Sequence, residues 1–432
     1  MTTNKRPFLV LFLVSILTFS ACARPGSTSG KSEPVHISMW SIAIEADATH
    51  DAFANAVSAY NANHSDVQID VTYIESESFK TQLQVAIAAG DTPDIFQDWG
   101  GGVLNSLVEA GVVREIQDLS GEAGSVFRPA SLGPSTFNGK HYAVPVDLAF
   151  ALFFYNKDLF VQHNVEIPNT WNEFIAVCQT FRNAGIIPAA IGNIDRWPGV
   201  FYMDYLVNRI GGQDAYLDAT YNQAGGGSYN SDTFTQAWKN ISEAVEDKCF
   251  EEGVNGSNHH DAALLVATDQ AAMQLQGNWT LFFYRDSSPD FSNSSLGVFP
   301  FPAFEGGIGN PSDLMGGTGQ AMVVSATAPP ETEAALIEML GSEQFARDLA
   351  GAGLIPAAAG YDEIFSDDPI MLDILGMLSS ANNLHLFYGT DLPPVLTNVY
   401  NNVTQQIYGQ ATTPEQAAVE MQEAAESLGG NE

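Results

Sequence analysis

Between residues 35 and 98 the hydrophobic spacing alternates between that of a strand and that of a helix, and this order constrains the fold more than any other feature of the chain. Val35, Ile37 and Met39 alternate with polar residues, which predicts a strand ending at Trp40. Phe53, Val57 and Tyr60 follow at i, i+4 and i+7, one apolar face of a helix. Val67, Ile69, Val71 and Tyr73 return to strand spacing. Phe79, Leu83 and Ile87 return to helical spacing, and that helix stops at Gly90. Gly90-Asp91-Thr92-Pro93 then turns the chain into a short third strand, Asp94 to Gln97. Strand, helix, strand, helix, strand is the order of a parallel sheet with right-handed crossovers. Ligands of such sheets bind beyond the carboxyl ends of the strands, which here brings Trp40 to Glu45 beside Asp98 and Trp99. The Gly100-Gly101-Gly102 run has neither the Gly-x-Gly-x-x-Gly spacing nor a P-loop lysine, so it does not read as a nucleotide loop.

Downstream, Asn138-Gly139 signals a hairpin turn before Tyr142-Ala143-Val144-Pro145. The continuous apolar run from Leu148 to Tyr155 predicts a strand buried on both faces. Thr170-Trp171-Asn172-Glu173 reads as a capping box for a helix running to Gly185, with Trp171 packed in its first turn. Trp197 lies in a turn before an apolar helix from Phe201 to Ile210, where it is a candidate ligand contact or a surface packing residue. Tyr216 to Asn230, rich in Gly, Tyr and Asn, reads as a surface loop. A helix over 233–248 places Phe234, Trp238, Ile241 and Val245 at core spacing. Ala271 to Leu275 is a strand that runs into Gly277-Asn278-Trp279, and a tryptophan at such an edge can stack on a ligand ring or fill the core. The glycines of Leu314-Met315-Gly316-Gly317-Thr318-Gly319 allow a turn and a close backbone approach before the apolar strand Ala321 to Ser325.

About 400 residues exceed a single core and predict two domains. At the N-terminus, Lys5 and Arg6 precede an apolar stretch from Phe8 to Phe19 that is too short to span a bilayer, which reads as a secretory signal peptide over residues 1–21. Ser20-Ala21-Cys22 resembles a bacterial lipobox, whose cysteine carries diacylglycerol, although Phe19 stands where that motif usually has Leu. The alternative is a secreted protein in which Cys22 is incidental. Residues 22–34, rich in Ser, Gly and Thr, would form a flexible tether.

The chain carries 16 Lys and Arg against 51 Asp and Glu, a formal net charge of −35. Nucleic acid and anionic membrane are therefore poor partners, and phosphate or sulfate ligands would find few cations. A neutral ligand fits better, and an aromatic content of 11%, with six Trp, offers flat faces suited to sugar rings. The excess acid also fits a salty habitat. Asn258-His259-His260-Asp261 holds adjacent histidines, which do not converge on one face of a helix or strand, and no Cys-x-x-Cys or His-Glu-x-x-His spacing occurs. Asp261 reads as the cap of a helix from Ala262 to Val266, so no metal and no cofactor is expected. Cys178 shares a helical face with Phe174, Val177 and Phe181 and reads as a core thiol, with a disulfide to Cys249 as the alternative.

Five segments then occur in order: Gly-Asp-Thr-Pro-Asp-Ile at 90–95, Tyr-Ala-Val-Pro at 142–145, Phe-Tyr-Asn-Lys-Asp-Leu at 154–159, Thr-Trp-Asn-Glu-Phe at 170–174 and Gly-Asn-Trp at 277–279. Together, over about residues 35–430, they resemble family 1 bacterial extracellular solute-binding proteins, the group that includes maltose-binding protein. Thr413-Pro414-Glu415-Gln416 opens a last helix where that family keeps its C-terminal one.

The resemblance implies an α/β, two-lobed periplasmic-binding-protein-like fold, each lobe a mostly parallel sheet flanked by helices. Lobe 1 would be residues 35–148 plus 320–360, and lobe 2 residues 149–319 plus 361–432, with crossings at Val146 to Leu152 and Gly316 to Gln320. It implies a monomer that closes on a carbohydrate and presents it to the permease subunits of an ABC importer, held to the membrane through Cys22 alone; the several Trp and a Gly-lined cleft suggest a ligand of two or more units. By the same resemblance Trp279 is the stacking tryptophan and Asp147 a cleft carboxylate accepting sugar hydroxyls. Trp40, Glu45, Asp98 and Trp99 line the first lobe, Gly316 and Gly317 the crossing, and Trp197 and Tyr388 the second lobe. Two other readings stay open: a receptor of the same fold serving a sensor kinase or a non-sugar ligand, and a secreted carbohydrate-active enzyme. Against the enzyme, the chain has no Gly-x-Ser-x-Gly elbow, no Ser-x-x-Lys and no barrel-length strand and helix repeat.

Overall fold

The computed structural model describes residues 33–222 and 225–429. The signal-peptide and Cys22 readings, and all of the tether but its last two residues, fall outside the described residues.

The opening alternation folds as its spacing predicts. β1 (Val35–Ser41) pairs in parallel with β2 (Val67–Tyr73) and β3 (Ile95–Asp98), with Val35 opposite Val67 and Met39 opposite Ile95. The helices between them are His50–Asn63 and Ser76–Ala89, and the second ends where Gly90 takes the left-handed conformation at φ 71°. A hairpin of β4 (Thr136–Phe137) and β5 (Lys140–His141) turns on Asn138 and Gly139, at φ 52° and 76°. β6 (Ala143–Pro145) leads through one residue into β7 (Asp147–Asn156), the predicted apolar strand, buried at nine of its ten positions. β8 (Ile187–Ala190), β9 (Ala271–Gly277), β10 (Leu296–Phe299), β11 (Leu314–Thr318), β12 (Ala321–Val324), β13 (Ile355–Pro356) and β14 (Leu384–His385) follow.

These strands form two main sheets, and the chain is α/β and two-lobed. One sheet has the order β2-β1-β3-β12-β6, and the other has β14-β11-β7-β9-β8, with β10 and β13 also on β7. Each has its own core: Ile37, Phe53, Ile69 and Met322 belong to the first, and Phe153, Phe174, Tyr202 and Trp238 to the second. Trp171 and Trp238 are core residues, and the Trp238 indole N–H donates to Thr404 Oγ1 (3.3 Å). Neither sheet is mostly parallel, however. β12 runs antiparallel to β3 and β6, and β7 antiparallel to β9, β10, β11 and β13. The reason is connectivity: the chain leaves the first sheet along β6 into β7 and returns to it from β11 along β12, so the outgoing and returning strands of each sheet run in opposite directions.

Three segments cross between the sheets side by side. The Val146 N–H donates to Gln320 O (2.9 Å), the Ala357 N–H to Val146 O (3.0 Å) and the Gly319 N–H to Asp147 O (3.0 Å). The crossing at Ala357 is one that periodicity does not reveal.

Local differences have local causes. The Thr170 hydroxyl caps Glu173 N–H, but the Glu173 carboxylate reaches Asn169 N–H, one residue earlier than a capping box requires. The helix predicted from Phe201 starts at Trp197, with Pro198 in its first turn, and continues to Tyr221 through a break at Gly212. Tyr216 to Asn230 is therefore no surface loop throughout. Tyr216 and Tyr229 are buried, with their hydroxyls on Asp391 (2.8 Å) and Thr220 (2.7 Å). Aromatic burial overrides the composition of the segment.

Inside the second core, Asp204 accepts from Tyr400 Oη (2.7 Å) and from Tyr388 N–H (3.2 Å). Burial pushes its carboxyl up to about 8, outweighing those two donors. A carboxyl whose folded pKa is raised holds its proton better folded than unfolded, so its contribution to stability is complete at low pH and is lost as pH rises towards 8. The melting temperature is expected to fall between pH 5 and 8, and Asp204→Asn to flatten that slope whatever its effect on absolute stability. An unchanged slope, followed by circular dichroism, would remove Asp204 as its source.

Candidate ligand-binding site between the lobes

The site is built around the end of β9. Asn278 extends the pairing of β9 with β7: its N–H donates to Phe150 O (3.1 Å), its Oδ1 accepts from Phe150 N–H (3.0 Å) and its Nδ2 donates to Leu148 O (3.3 Å). With Asn278 pinned, Trp279 folds back over the strand end, and a Cβ on Gly277 would come within 2.1 Å of its indole. Within Gly-Asn-Trp the glycine thus supplies room, the asparagine anchorage and the tryptophan an aromatic face. Trp279 is half-buried and packs against the cores of both lobes.

Three aromatic rings surround it. Trp197 lies at 6.2 Å between centroids, Phe201 at 6.3 Å and Phe387 at 6.4 Å. His259 follows, 4.9 Å from Trp197, and His260 stacks on Phe283 at 4.4 Å. Both histidines open the helix His259–Ala267, capped by Asn258, with Asp261 completing a capping box at its third position. Asp261 is thus not the cap itself, and the helix begins three residues earlier than its apolar spacing suggests. Burial first, and then the neighbouring His260, push His259 down to about 3, so its ring is neutral. Among the described residues no three His, Cys, Asp or Glu side chains are grouped to hold a metal ion.

The first lobe faces this cluster with acidic and aromatic loops. Asp47 accepts from Thr49 N–H (2.8 Å) and the Thr49 hydroxyl; burial raises its pKa, and those two bonds, followed by Gln320 and by His260, offset part of the rise. Asp98, 3% exposed, accepts from Gly100 N–H (2.7 Å), and burial pushes it up to about 7. Trp40 and Trp99 are half-buried on a satellite of the first core, Trp99 edge-on to Phe79 at 6.1 Å with Lys80 5.6 Å over its ring. Glu45 is exposed.

The remaining candidates sit differently. Asp147 is 3% exposed in the crossing, where its Oδ1 accepts from Gln320 N–H (2.8 Å). Burial, and then the charge of Asp47, push it up to about 7. Gly316 and Gly317 are buried within β11 and form no turn. A Cβ on Gly316 would lie 2.2 Å from Ala149 O, and one on Gly317 would lie 2.7 Å from the Leu386 side chain, so these glycines serve close packing on β7 and the 386 loop. Tyr388 is a correction. It is 0% exposed, its ring stacked on Tyr216 at 3.6 Å and its hydroxyl on Gln213 (3.2 Å), so it offers no face to a ligand. Phe387, one residue earlier, is half-buried and stands edge-on to Trp279. Neither Phe387 nor the His259 and His260 pair carries a sequence signal for this position, since each reaches it through the packing of a distant segment.

The Gly100-Gly101-Gly102 run also acquires a role. A Cβ on Gly101 would lie 2.6 Å from Thr390 O, and one on Gly102 2.2 Å from Asp391 O. The start of the helix Gly101–Glu109, whose Leu104 belongs to the first lobe, therefore rests directly on the second-lobe backbone.

The family model of the bacterial extracellular solute-binding protein matches residues 46–346. The chain belongs to this family. It is 25% identical over 359 residues to a probable sugar-binding periplasmic protein of Mesorhizobium japonicum, covering 80% of this chain and 82% of that one. A solved structure from work on xylan utilisation by the thermophile Caldanaerobius polysaccharolyticus superposes with a TM-score of 0.82 and 28% identity, over 90% of this chain and 99% of that one. A chitin oligosaccharide binding protein gives the same TM-score at 21% identity, over 91% of this chain and 99% of that one. The recognition of the family from five ordered segments is thereby borne out. Members of this family are solute-binding proteins.

Because the contact at Gly102 leaves no room for a side chain, Gly102→Ala should part the lobes there. Small-angle scattering is expected to give a larger radius of gyration than for the unsubstituted protein, with the circular dichroism spectrum unchanged; an identical scattering curve would mean that the contact does not hold the lobes together.

Proposed function

We propose that this protein is the substrate-binding component of an ABC importer, taking a neutral carbohydrate of two or more units between its lobes and delivering it to the permease subunits. The observation that carries this reading is the cluster of half-buried Trp197, Trp279 and Phe387, backed by the buried Phe201, at the junction of the two cores, with the charge of Asp47 acting on His260 beside it. Aromatic faces cover the apolar C–H patches of a sugar ring, while carboxyl groups bond its hydroxyls. Lys80, over the Trp99 ring, is paired with Glu77, and Arg196 beside Trp197 donates to Asn402. A sugar-binding relative and structural neighbours from xylan and chitin-oligosaccharide work support the same ligand class.

In this reading lobe 1 comprises residues 35–148 plus 320–360 and lobe 2 the remainder. The crossings at Val146 and Gln320 act as the hinge, Asp147 holds it rather than the sugar, and Cys22 anchors a monomer on the outer face of the cytoplasmic membrane. No catalytic step is assigned, so incubation with the bound oligosaccharide should leave it intact by chromatography.

A thermal-shift screen of residues 34–432 against mono- and oligosaccharides, with phosphate esters and polyamines alongside, tests the ligand class. A ligand at a hundred times its dissociation constant stabilises by ~2.7 kcal/mol, so a rise with one sugar series alone is the expected result. A rise only with a phosphate ester or a polyamine would overturn the sugar reading. Trp279→Ala should weaken the sugar complex by ~1–3 kcal/mol in calorimetry. Unchanged affinity would make Trp279 a packing residue between the lobes. Cys22→Ser should release the protein from the membrane fraction of expressing cells, and retention there would remove the anchor.

A further inference from the structure

Two thiols meet in the core of the second lobe. Cys178 lies on the helix Trp171–Asn183 and Cys249 just beyond the helix Asp232–Glu246; both are 0% exposed and belong to the same core cluster, where the Cys249 thiol is near enough to help push that of Cys178 up. The elements that carry them are fastened on either side. Arg182, one turn beyond Cys178, donates to the Asp247 carbonyl and lies 3.7 Å from its carboxylate, while the Ala189 N–H donates to Cys249 O (2.9 Å). Among the described residues these are the two cysteines of the chain, and both are unbonded. Nothing in the ligand site uses them.

We propose that Cys178 and Cys249 are joined by a disulfide once the chain has left the reducing cytoplasm, which makes the pair a modification site that staples the helix Trp171–Asn183 to the segment entering Phe250. The inference rests on the reading of the chain as an exported binding protein. In the step, two S–H bonds break and one S–S bond forms. The two protons and two electrons pass to the disulfide of a thiol–disulfide oxidoreductase, or of oxidised glutathione, whose S–S bond breaks to give two thiols. Burial holds the Cys178 thiol far from ionisation in the folded lobe. Exchange therefore takes place on the folding chain, before the core closes, and the finished bond is then shielded from reductants. The loop it encloses is roughly seventy residues, long enough for the cross-link to restrict the unfolded chain substantially.

The test uses the full chain, reduced and unfolded, then refolded in a reduced/oxidised glutathione buffer; a second sample is recovered from fractionated expressing cells. Free thiols are alkylated in denaturant without reductant, and the digest is mapped by mass spectrometry. Expected are a linked peptide pair containing Cys178 and Cys249, no alkylation at either, and a melting temperature at least about 5 °C lower after reduction of the unfolded chain. Alkylation of both cysteines in the refolded sample would overturn the pairing. A linked pair after refolding, together with two alkylated thiols in a cytoplasmic fraction, would support the pairing and overturn the export reading.

Discussion

The arrangement of the lobes depends on three backbone segments lying side by side at Val146, Gln320 and Ala357. Their mutual hydrogen bonds fix how the end of β9 stands against the first-lobe loops, and so fix the position of Trp279 between two cores. A hinge needs a few residues that absorb a dihedral change, and these segments are short enough to supply it without disturbing either sheet. Asp147 reinforces the bundle by taking the Gln320 N–H, and Gly319 leaves the room that its carboxyl needs, since a Cβ there would lie 2.6 Å from Asp147 Oδ2.

The electrostatics of the interior contrast with those of the surface. Acidic residues dominate the chain, yet the carboxyls at the junction and in the second core are pushed towards neutrality by burial: Asp98 and Asp147 to about 7, and Asp204 to about 8. Each accepts from at least one N–H or O–H donor, so the cost of burial is partly offset without a cationic partner. A site of this kind is polar without being strongly ionic. That character matches a neutral, hydroxyl-rich ligand better than a charged one, and it follows from the fold around each carboxyl rather than from the net charge.

Much was legible in the sequence because the relevant signals are local. Alternating apolar residues marked β1, β2 and β3, the unbroken run from Leu148 to Tyr155 marked a strand covered on both faces, and Gly277-Asn278-Trp279 marked the strand end that carries the aromatic face. The same periodicities placed Trp171 and Trp238 in the core. Where local and tertiary signals conflicted, packing prevailed. The Gly- and Tyr-rich segment after residue 216 reads as a loop, yet its tyrosines are buried against Asp391 and Thr220.

The sequence by itself determined the α/β class, the family and, through that resemblance, the two-lobed architecture, and it set Trp279 at the end of a strand, since each is written in spacing or in short ordered segments. Tertiary structure alone decided that both sheets are mixed, that Phe387 rather than Tyr388 joins the aromatic cluster, that His260 faces Asp47, and that Gly101 and Gly102 bring one lobe against the other. The physical reason is the same in every case. Strand direction, and the side to which a single loop residue turns, are set by hydrogen bonds and contacts between segments far apart in the chain, which no local period records.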